Sequence, residues 1–415
     1  MRLANGWTGG QYSFFRALFG IYLFTHFAAL IPWARELFSN RGVLADGATS
    51  PLLYLFPNIF ALYDAPWLVA VLLIAAALSS VSFAVGFCDR IAALFQWYLL
   101  TCLVGRNPLI ANPAMPLVGW MLLAHVCLPK APFGSLAARG RVDPSGGWKM
   151  PHAIYCAAWI VIALAYSYSG YSKLISLSWM DGSALARVLD NPLARPTIVR
   201  EIFLDLPAVY LQLATWGGLA LELLYAPLAL SRRLRPWIWL LMVMMHFGLL
   251  MLIEFADLTL GMLLLHAFTF DPAWIPPKKT RHKITIFYDG HCGLCHGFVR
   301  FVLAEARNDR EIFFSPLEGE SFDASVPKDQ RAGLPDSVIL KTSDGRLLVR
   351  SAAVLEIAQR LGGLWRAVGF TAGLIPRLLL DSVYDAIARL RRQIFATPSA
   401  QCPLLPPDLR DRFQP

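Results

Sequence analysis

The sequence predicts a polytopic α-helical membrane domain of about eight spans followed by a soluble α/β domain. Three observations lead there. Hydrophobic residues make up 56% of the 415 residues and charged residues only 16%, where soluble domains carry about half and about a quarter; the mean hydropathy is +0.50. The apolar residues gather in long runs up to about residue 270, beyond which charged and apolar residues alternate. A Pro- and Lys-rich segment, DPAWIPPKKTRH, separates the two regimes. The expected division is a membrane domain over 1–270, a linker over 271–282 and a second domain over 283–415. The formal net charge of +9 does not imply nucleic acid, because the basic residues flank apolar runs as membrane orientation signals do.

A crossing helix needs roughly 20 apolar residues. The runs 12–33, 66–87, 112–129, 152–173, 206–230 and 236–254 qualify. Two more are marginal: 90–105, closed between Arg90 and Arg106, and 256–270, which contains Asp257. At 1.5 Å per residue each covers about 23 Å, enough only with snorkelling ends or a buried position. Prolines break PLLYLFPNIFAL (51–62), which reads as an interfacial or re-entrant piece. The opening MRLANGWTGGQ lacks a strongly basic start and a cleavage site, so the first span reads as an uncleaved anchor. Eight spans with the N-terminus inside put thirteen Lys and Arg on the cytoplasmic side and seven outside, Arg106 and Lys173 among the seven. That asymmetry favours a cell-membrane protein with its C-terminal domain in the cytosol.

ITIFY (284–288) has the β-branched and aromatic density of a buried strand, and Asp289-Gly290 ends it. From Cys292 onward Phe298, Val299, Phe301, Val302, Leu303 and Ala306 recur at helical spacing. Cys292 and Cys295 therefore stand where a strand turns into a helix. A helix N-terminus stabilises the attacking thiolate through its unpaired N–H groups and dipole. A spacing of two residues lets the second sulfur resolve a mixed disulfide. Cys292, nearer the helix start and expected to be more exposed, is the predicted nucleophile, and Cys295 the resolving thiol. His291 would lower a thiol pKa when protonated, and Asp289 would relay a proton or cap the helix. IFFSPL then gives a strand, SVILKT and RLLVR a hairpin about Ser343–Arg346, and SAAVLEIAQRLG a helix. Strand–helix–strand followed by hairpin and helix is the thioredoxin-like order.

Other chemistries share these residues. CGLCH spells a c-type haem attachment motif with His296 as axial ligand. Zinc on Cys292, Cys295, His291 or His296 lacks a second distant ligand pair, since Cys402 is a single thiol. An inert buried pair is the third possibility. The dithiol reading itself requires no cofactor.

YDGHCGLC, DSVILKTSDGRLLVRSAAVLEIAQRLGG, LIPRLLLDSVYDAIARLRR and the late Cys402-Pro403 resemble the DCC family of thiol–disulfide oxidoreductases over about 283–415. The family's Asp, Cys and Cys fall on Asp289, Cys292 and Cys295. The resemblance implies a thiol–disulfide oxidoreductase acting on a substrate protein or a small-molecule thiol or disulfide.

Arg16, His26, His125, Lys173, Glu222, His246, Glu254, Asp257 and His266 are ionisable residues within the apolar runs, functional candidates by default. The bland readings are snorkelling for Arg16 and Lys173, hydrogen-bonded core groups for the histidines, and a structural pair between Glu222 and His246. SYSGYSKLISLSWMDGSALARVL (167–189), with the opening SFFRALFGIYLF, resembles the HTTM domain shared with vitamin K-dependent gamma-carboxylases. The matching residues are Gly170, Lys173, Leu174, Trp179 and Gly182. The resemblance implies Lys173 as a base acting on a quinone, so the alternatives to the oxidoreductase are a quinone-coupled membrane enzyme and a redox-regulated membrane scaffold without turnover. Cys88, Cys102, Cys127 and Cys156 read as single buried thiols.

Overall fold

The computed structural model describes residues 5–278, 283–306, 311–395 and 406–414. Arg2, Lys279, Arg281 and the Cys402-Pro403 pair lie outside the described residues. The chain forms two compact units. One gathers Phe15–Leu128 and Pro151–Phe270; the other gathers Ala4–Phe14, Pro129–Met150 and Asp271–Pro415.

The helices of the first unit are α1 (Gly9–Leu30, whose first turns count with the second unit), α2 (Pro66–Val85), α3 (Asp89–Arg106) and α4 (Met115–Cys127), then α5 (His152–Leu174), α6 (Ala208–Leu230), α7 (Arg235–Leu252) and α8 (Ala256–Thr269). Among the described residues, five stretches are long and apolar enough to cross a membrane: Gly9–Phe38, Pro66–Val85, His152–Leu174, Ala208–Leu230 and Arg235–Leu252. Eight were expected. α4 and α8, at 13 and 14 residues, fall short in length. α3 is not among the five because Asp89, Arg90, Gln96 and Arg106 dilute it.

Local chemistry explains the boundaries. Pro66 occupies the first turn of α2, where its missing N–H costs nothing. Gly86, at φ +71°, closes the helix: its N–H bonds to Phe83 O, and that of Phe87 to Ser82 O. Gly20 brings α1 against α2 so closely that an added Cβ would lie 2.5 Å from the Ala84 Cβ. Small residues allow such backbone approach where lipid supplies no hydrophobic drive.

The charges at the marginal spans have partners within the fold. Arg106, expected to flank α3 on the outer side, is fully buried. It pairs with Asp64 at 2.9 Å and donates to the carbonyls of Ser39 and Leu44. A guanidinium removed from water needs such a set of acceptors. Asp257 on α8 accepts from Tyr22 Oη at 2.9 Å and Asn112 Nδ2 at 2.7 Å, and meets His26 Nδ1 at 3.0 Å. Asp89 collects Arg16 and His125.

The second unit is built on a four-stranded mixed sheet, with β1 (Ile284–Tyr288), β2 (Ile312–Pro316), β3 (Ile339–Lys341) and β4 (Leu347–Val349) in the order β2-β1-β3-β4. β1 runs parallel to β2, with Ile286 opposite Phe314, and antiparallel to β3, with Ile286 opposite Leu340. A parallel pair requires a crossover, supplied by α9 (Gly293–Glu305). After the β3–β4 hairpin come α10 (Arg350–Leu361), α11 (Gly363–Ala372) and α12 (Arg377–Ile394). One core joins Ile284, Ile286, Tyr288, Val299, Val302, Leu303, Ile312, Phe314 and Leu340 with Ala353 and Ile357 of α10. β1 is buried along its length, as a central strand of a covered sheet must be.

Candidate functional site

β1 ends at Tyr288, and the turn Asp289–His291 leads into α9. The turn is set by Asp289, whose Oδ1 accepts from the His291 N–H at 2.9 Å. Cys292, in an extended conformation (φ −109°, ψ 118°), is the N-cap of α9, and its carbonyl accepts the first helical bond from His296. Cys295 lies within the first turn of α9. Both cysteines are free thiols.

Their exposure is the reverse of that expected. Cys292 is 4% exposed, while Cys295 is only partly buried. The N-cap position frees backbone N–H groups, not the side chain. Here the Cys292 side chain lines a cavity of about 440 Å³ with Asp289, His291, Leu317, Glu318, Asp336, Arg391 and Phe395.

Arg391 is the residue that sequence reasoning missed. It comes from α12, is 3% exposed, and bridges two carboxylates: Nη2 lies 3.1 Å from Asp289 Oδ2 and 2.5 Å from Asp336 Oδ1. The LRRQI run at the end of α12 signals a basic helix end and nothing about sulfur; only the fold carries Arg391 to a turn 102 residues away. Tyr384, two turns earlier on α12, accepts at its Oη from the Val338 N–H at 2.8 Å and fastens the helix to the start of β3.

Electrostatics distinguishes the two sulfurs. Burial, then the hydrogen bond and charge of Cys292, push the Cys295 thiol up to about 12. Burial pulls the Arg391 guanidinium down, but the charges of Cys295, Asp336, Cys292 and Asp289 outweigh it and the net shift is upward. The arginine is thus coupled to both sulfurs as well as to both carboxylates. Asp289 does not stand free as a proton relay: one oxygen holds the turn and the other holds Arg391.

The other chemistries fare differently. His296 is buried, with Nε2 3.0 Å from the Gly290 carbonyl oxygen, so it braces the turn beneath the dithiol and does not present an axial ligand. The zinc set of Cys292, Cys295, His291 and His296 is not brought together among the described residues. Asp289, His291 and Glu318 do place ligand atoms within 4.8 Å of one another, but Arg391 already neutralises Asp289.

In the first unit, Lys173 Nζ sits 2.5 Å from each Glu222 carboxylate oxygen, 3.0 Å from Ser169 Oγ, and 4.6 Å from the centre of the Trp179 ring. Glu222 therefore pairs with Lys173 and not with His246. Gly170 packs against Leu223, and Gly182 sits at φ +81°, so both glycines have steric reasons to be there. His246 and His266 each place Nε2 on the Tyr166 hydroxyl, at 2.7 and 2.6 Å. Lys173 and Cys292 fall in different units.

Comparison with known proteins bears on the second unit. A family model described as DCC1-like thiol-disulfide oxidoreductase matches residues 286–397. The uncharacterized protein YuxK of Bacillus subtilis is 33% identical over 135 residues, which is 31% of this chain and 93% of that protein. A chloroplastic DCC family protein of Arabidopsis thaliana is 29% identical over 118 residues, 28% of this chain and 67% of that protein. No solved structure matches.

Proposed function

The chain belongs to the DCC1-like thiol-disulfide oxidoreductase family through its C-terminal domain, and on that premise we propose that it is a membrane-anchored oxidoreductase working through a Cys292/Cys295 dithiol–disulfide couple. One observation carries the reading: Cys292 lines a cavity shared with the buried Arg391, while burial and Cys292 itself raise the thiol of the adjacent Cys295. That asymmetry supports attack by Cys292 and resolution by Cys295.

The cycle follows from it. The Cys292 thiolate attacks a substrate disulfide, forming a mixed disulfide and releasing one substrate sulfur as thiolate. Cys292 then no longer carries charge, so two of the causes that raise Cys295 vanish while the lowering influence of Arg391 remains. Cys295 gives up its proton, attacks the Cys292 sulfur and releases the second substrate thiol. The substrate disulfide gains two electrons and the enzyme dithiol loses them. Asp289 and Asp336 serve as positioning residues by holding Arg391 in place.

The membrane part contributes eight spans in this reading, the charge-diluted α3 and the two shorter helices α4 and α8 crossing beside the five long apolar ones. The Lys and Arg asymmetry supports an N-terminus inside and a cytosolic dithiol. The substrate is a protein or small-molecule thiol or disulfide, no cofactor enters the cycle, and Lys173 carries no step because its ammonium is engaged by Glu222 and Trp179. The test is thiol trapping in cells followed by mass-tagging. Cys292 and Cys295 should shift together between dithiol and disulfide, Cys295→Ser should accumulate mixed disulfides, and Lys173→Ala should leave the shift intact. A Cys292/Cys295 pair that never changes state sinks the proposal.

A further inference from the structure

Three helices of the first unit converge on a hydrogen-bonded chain that the dithiol chemistry does not use. The Tyr166 hydroxyl of α5 lies 2.7 Å from His246 Nε2 on α7 and 2.6 Å from His266 Nε2 on α8. All three residues are buried, His266 completely. A hydroxyl has a single proton. Between two neutral imidazoles it donates to one Nε2 and accepts from the N–H at the other. The two histidines are therefore opposite tautomers: the acceptor carries its proton on Nδ1, and the donor has a bare Nδ1. Both Nδ1 atoms are buried without a hydrogen-bond partner among the described residues. In either arrangement one Nδ1–H is left unsatisfied, at a cost of about 1–3 kcal/mol. Apolar side chains of the same shape would spare a purely structural core that cost. Tyr225 Oη of α6 is likewise buried and unpartnered, and its ring lies against both Tyr166 and His266.

The orphaned donors decide between readings. A metal held by the two Nε2 atoms and the Tyr166 oxygen would need both Nδ1–H groups directed at carboxylates, carbonyls or water, as metal-bound histidines almost always are. Neither Nδ1 meets a protein group. The hydrogen-bonded chain instead has two arrangements with the same bonds and one orphaned N–H in each, and they interconvert by moving protons alone. We propose that His246, Tyr166 and His266 form a proton-transfer site in which a proton enters at one Nδ1 and leaves at the other. Water, the ordinary partner of an otherwise unsatisfied buried group, is donor and acceptor. A proton from hydronium binds the bare Nδ1 of His266, whose Nε2 proton passes to the Tyr166 oxygen. The hydroxyl proton passes to His246 Nε2, and the His246 Nδ1 proton goes to water. One proton enters, one leaves, no electron moves, and both tautomers are reversed; the same step run backward restores the first arrangement. Glu222 and Tyr225 of α6 act electrostatically on Tyr166, and Lys173 on His246, so the Lys173–Glu222 pair sits beside the chain. Ionisable side chains within apolar helices are where proton relays are built. The site is independent of the dithiol chemistry.

The test is magic-angle-spinning NMR of the full chain in lipid bilayers, with the histidine ring nitrogens isotopically labelled. His246→Gln and His266→Gln, made one at a time, assign the two rings among the eight histidines. At low temperature the two rings should show opposite tautomers. On warming, the Nδ1 and Nε2 signals of both should coalesce together, and deuterium oxide should slow that exchange, which it would not do to ring rotation. Tyr166→Phe should slow the exchange by at least about a hundredfold, the share that a positioned proton carrier supplies. Tautomers that stay fixed up to the melting temperature would mean a static hydrogen-bonded core. A metal retained at one per chain and lost in His246→Gln would mean a metal centre. Either overturns the proposal, as does an exchange rate unchanged in Tyr166→Phe. Should that variant fail to fold, the deuterium oxide comparison on the unsubstituted chain decides: exchange that it does not slow is not proton transfer.

Discussion

At Cys295 burial and a neighbouring charge act in the same direction, and the pH behaviour of the site follows. With its pKa pushed up to about 12, the thiolate fraction of Cys295 at pH 8 is on the order of 10⁻⁴. Brief iodoacetamide treatment of the reduced protein at pH 8 should therefore modify Cys292 and spare Cys295; modification of Cys295 first would reverse the assigned roles. The sign for stability also follows. A thiol whose folded value lies above its ordinary 9.0 keeps its proton longer folded than unfolded. The reduced protein should lose stability as pH rises from about 9 toward about 12, and the oxidised protein should lack that slope; thermal melts of the two forms across this range check it. Arg391→Met should remove the neighbouring charge that lowers the Cys295 thiol and so accumulate mixed disulfides in thiol trapping, with partial recovery in Arg391→Lys, because the charge but not the fork is restored.

At the scale of elements, the site depends on α12 being fastened to β3 and α10. Asp381 satisfies the Ser351 N–H in the first turn of α10, where a helix has unpaired donors. Asp381→Ala should cost about 1–2 kcal/mol, read as a lower denaturant midpoint of the second unit by site-specific fluorescence. A midpoint unchanged by this substitution would show that α12 is held by other contacts. In the first unit, Gly86→Ala forces a Cβ into φ +71° at the end of α2. It should destabilise by about 1 kcal/mol, seen as a lower melting temperature in detergent. The element boundaries were largely legible. ITIFY, the helix from Gly293, the Ser343–Arg346 hairpin and SAAVLEIAQRLG all announce themselves through periodicity and turn chemistry. The marginal helices did not, because Arg106 reads as a span-end charge and Asp257 as an ionisable residue within a short run when considered alone. Their partners are Asp64 for Arg106 and Tyr22, His26 and Asn112 for Asp257, none of which is adjacent in sequence.

For the whole molecule, a reporter fused at the C-terminus reads the side of the bilayer proposed for the dithiol. The proposed topology predicts that a C-terminal alkaline phosphatase fusion is inactive while a cytosolic reporter fused at the same point is active. The opposite pattern would move the dithiol outward and overturn a reducing role. Loss of Lys173 has a separate consequence. Lys173→Ala leaves Glu222, 6% exposed, without its cation, which should cost a few kcal/mol. Reduced heat stability with an intact dithiol shift would separate the structural role from a catalytic one.

The sequence by itself determined the long apolar helices of the first part of the chain, the strand-to-helix seat of Cys292 and Cys295, and the family that Asp289, Cys292 and Cys295 indicate. Those are properties of composition and short spacing, which local sequence carries. The tertiary structure decided the rest. It buried Cys292 and left Cys295 the more exposed, brought Arg391 across 102 residues to Asp289, and gave Glu222 to Lys173 across 49. It also set His246 and His266 on the Tyr166 hydroxyl. Each of these depends on where a distant element packs, and an ionic or hydrogen-bonding partner exists only once that packing is complete.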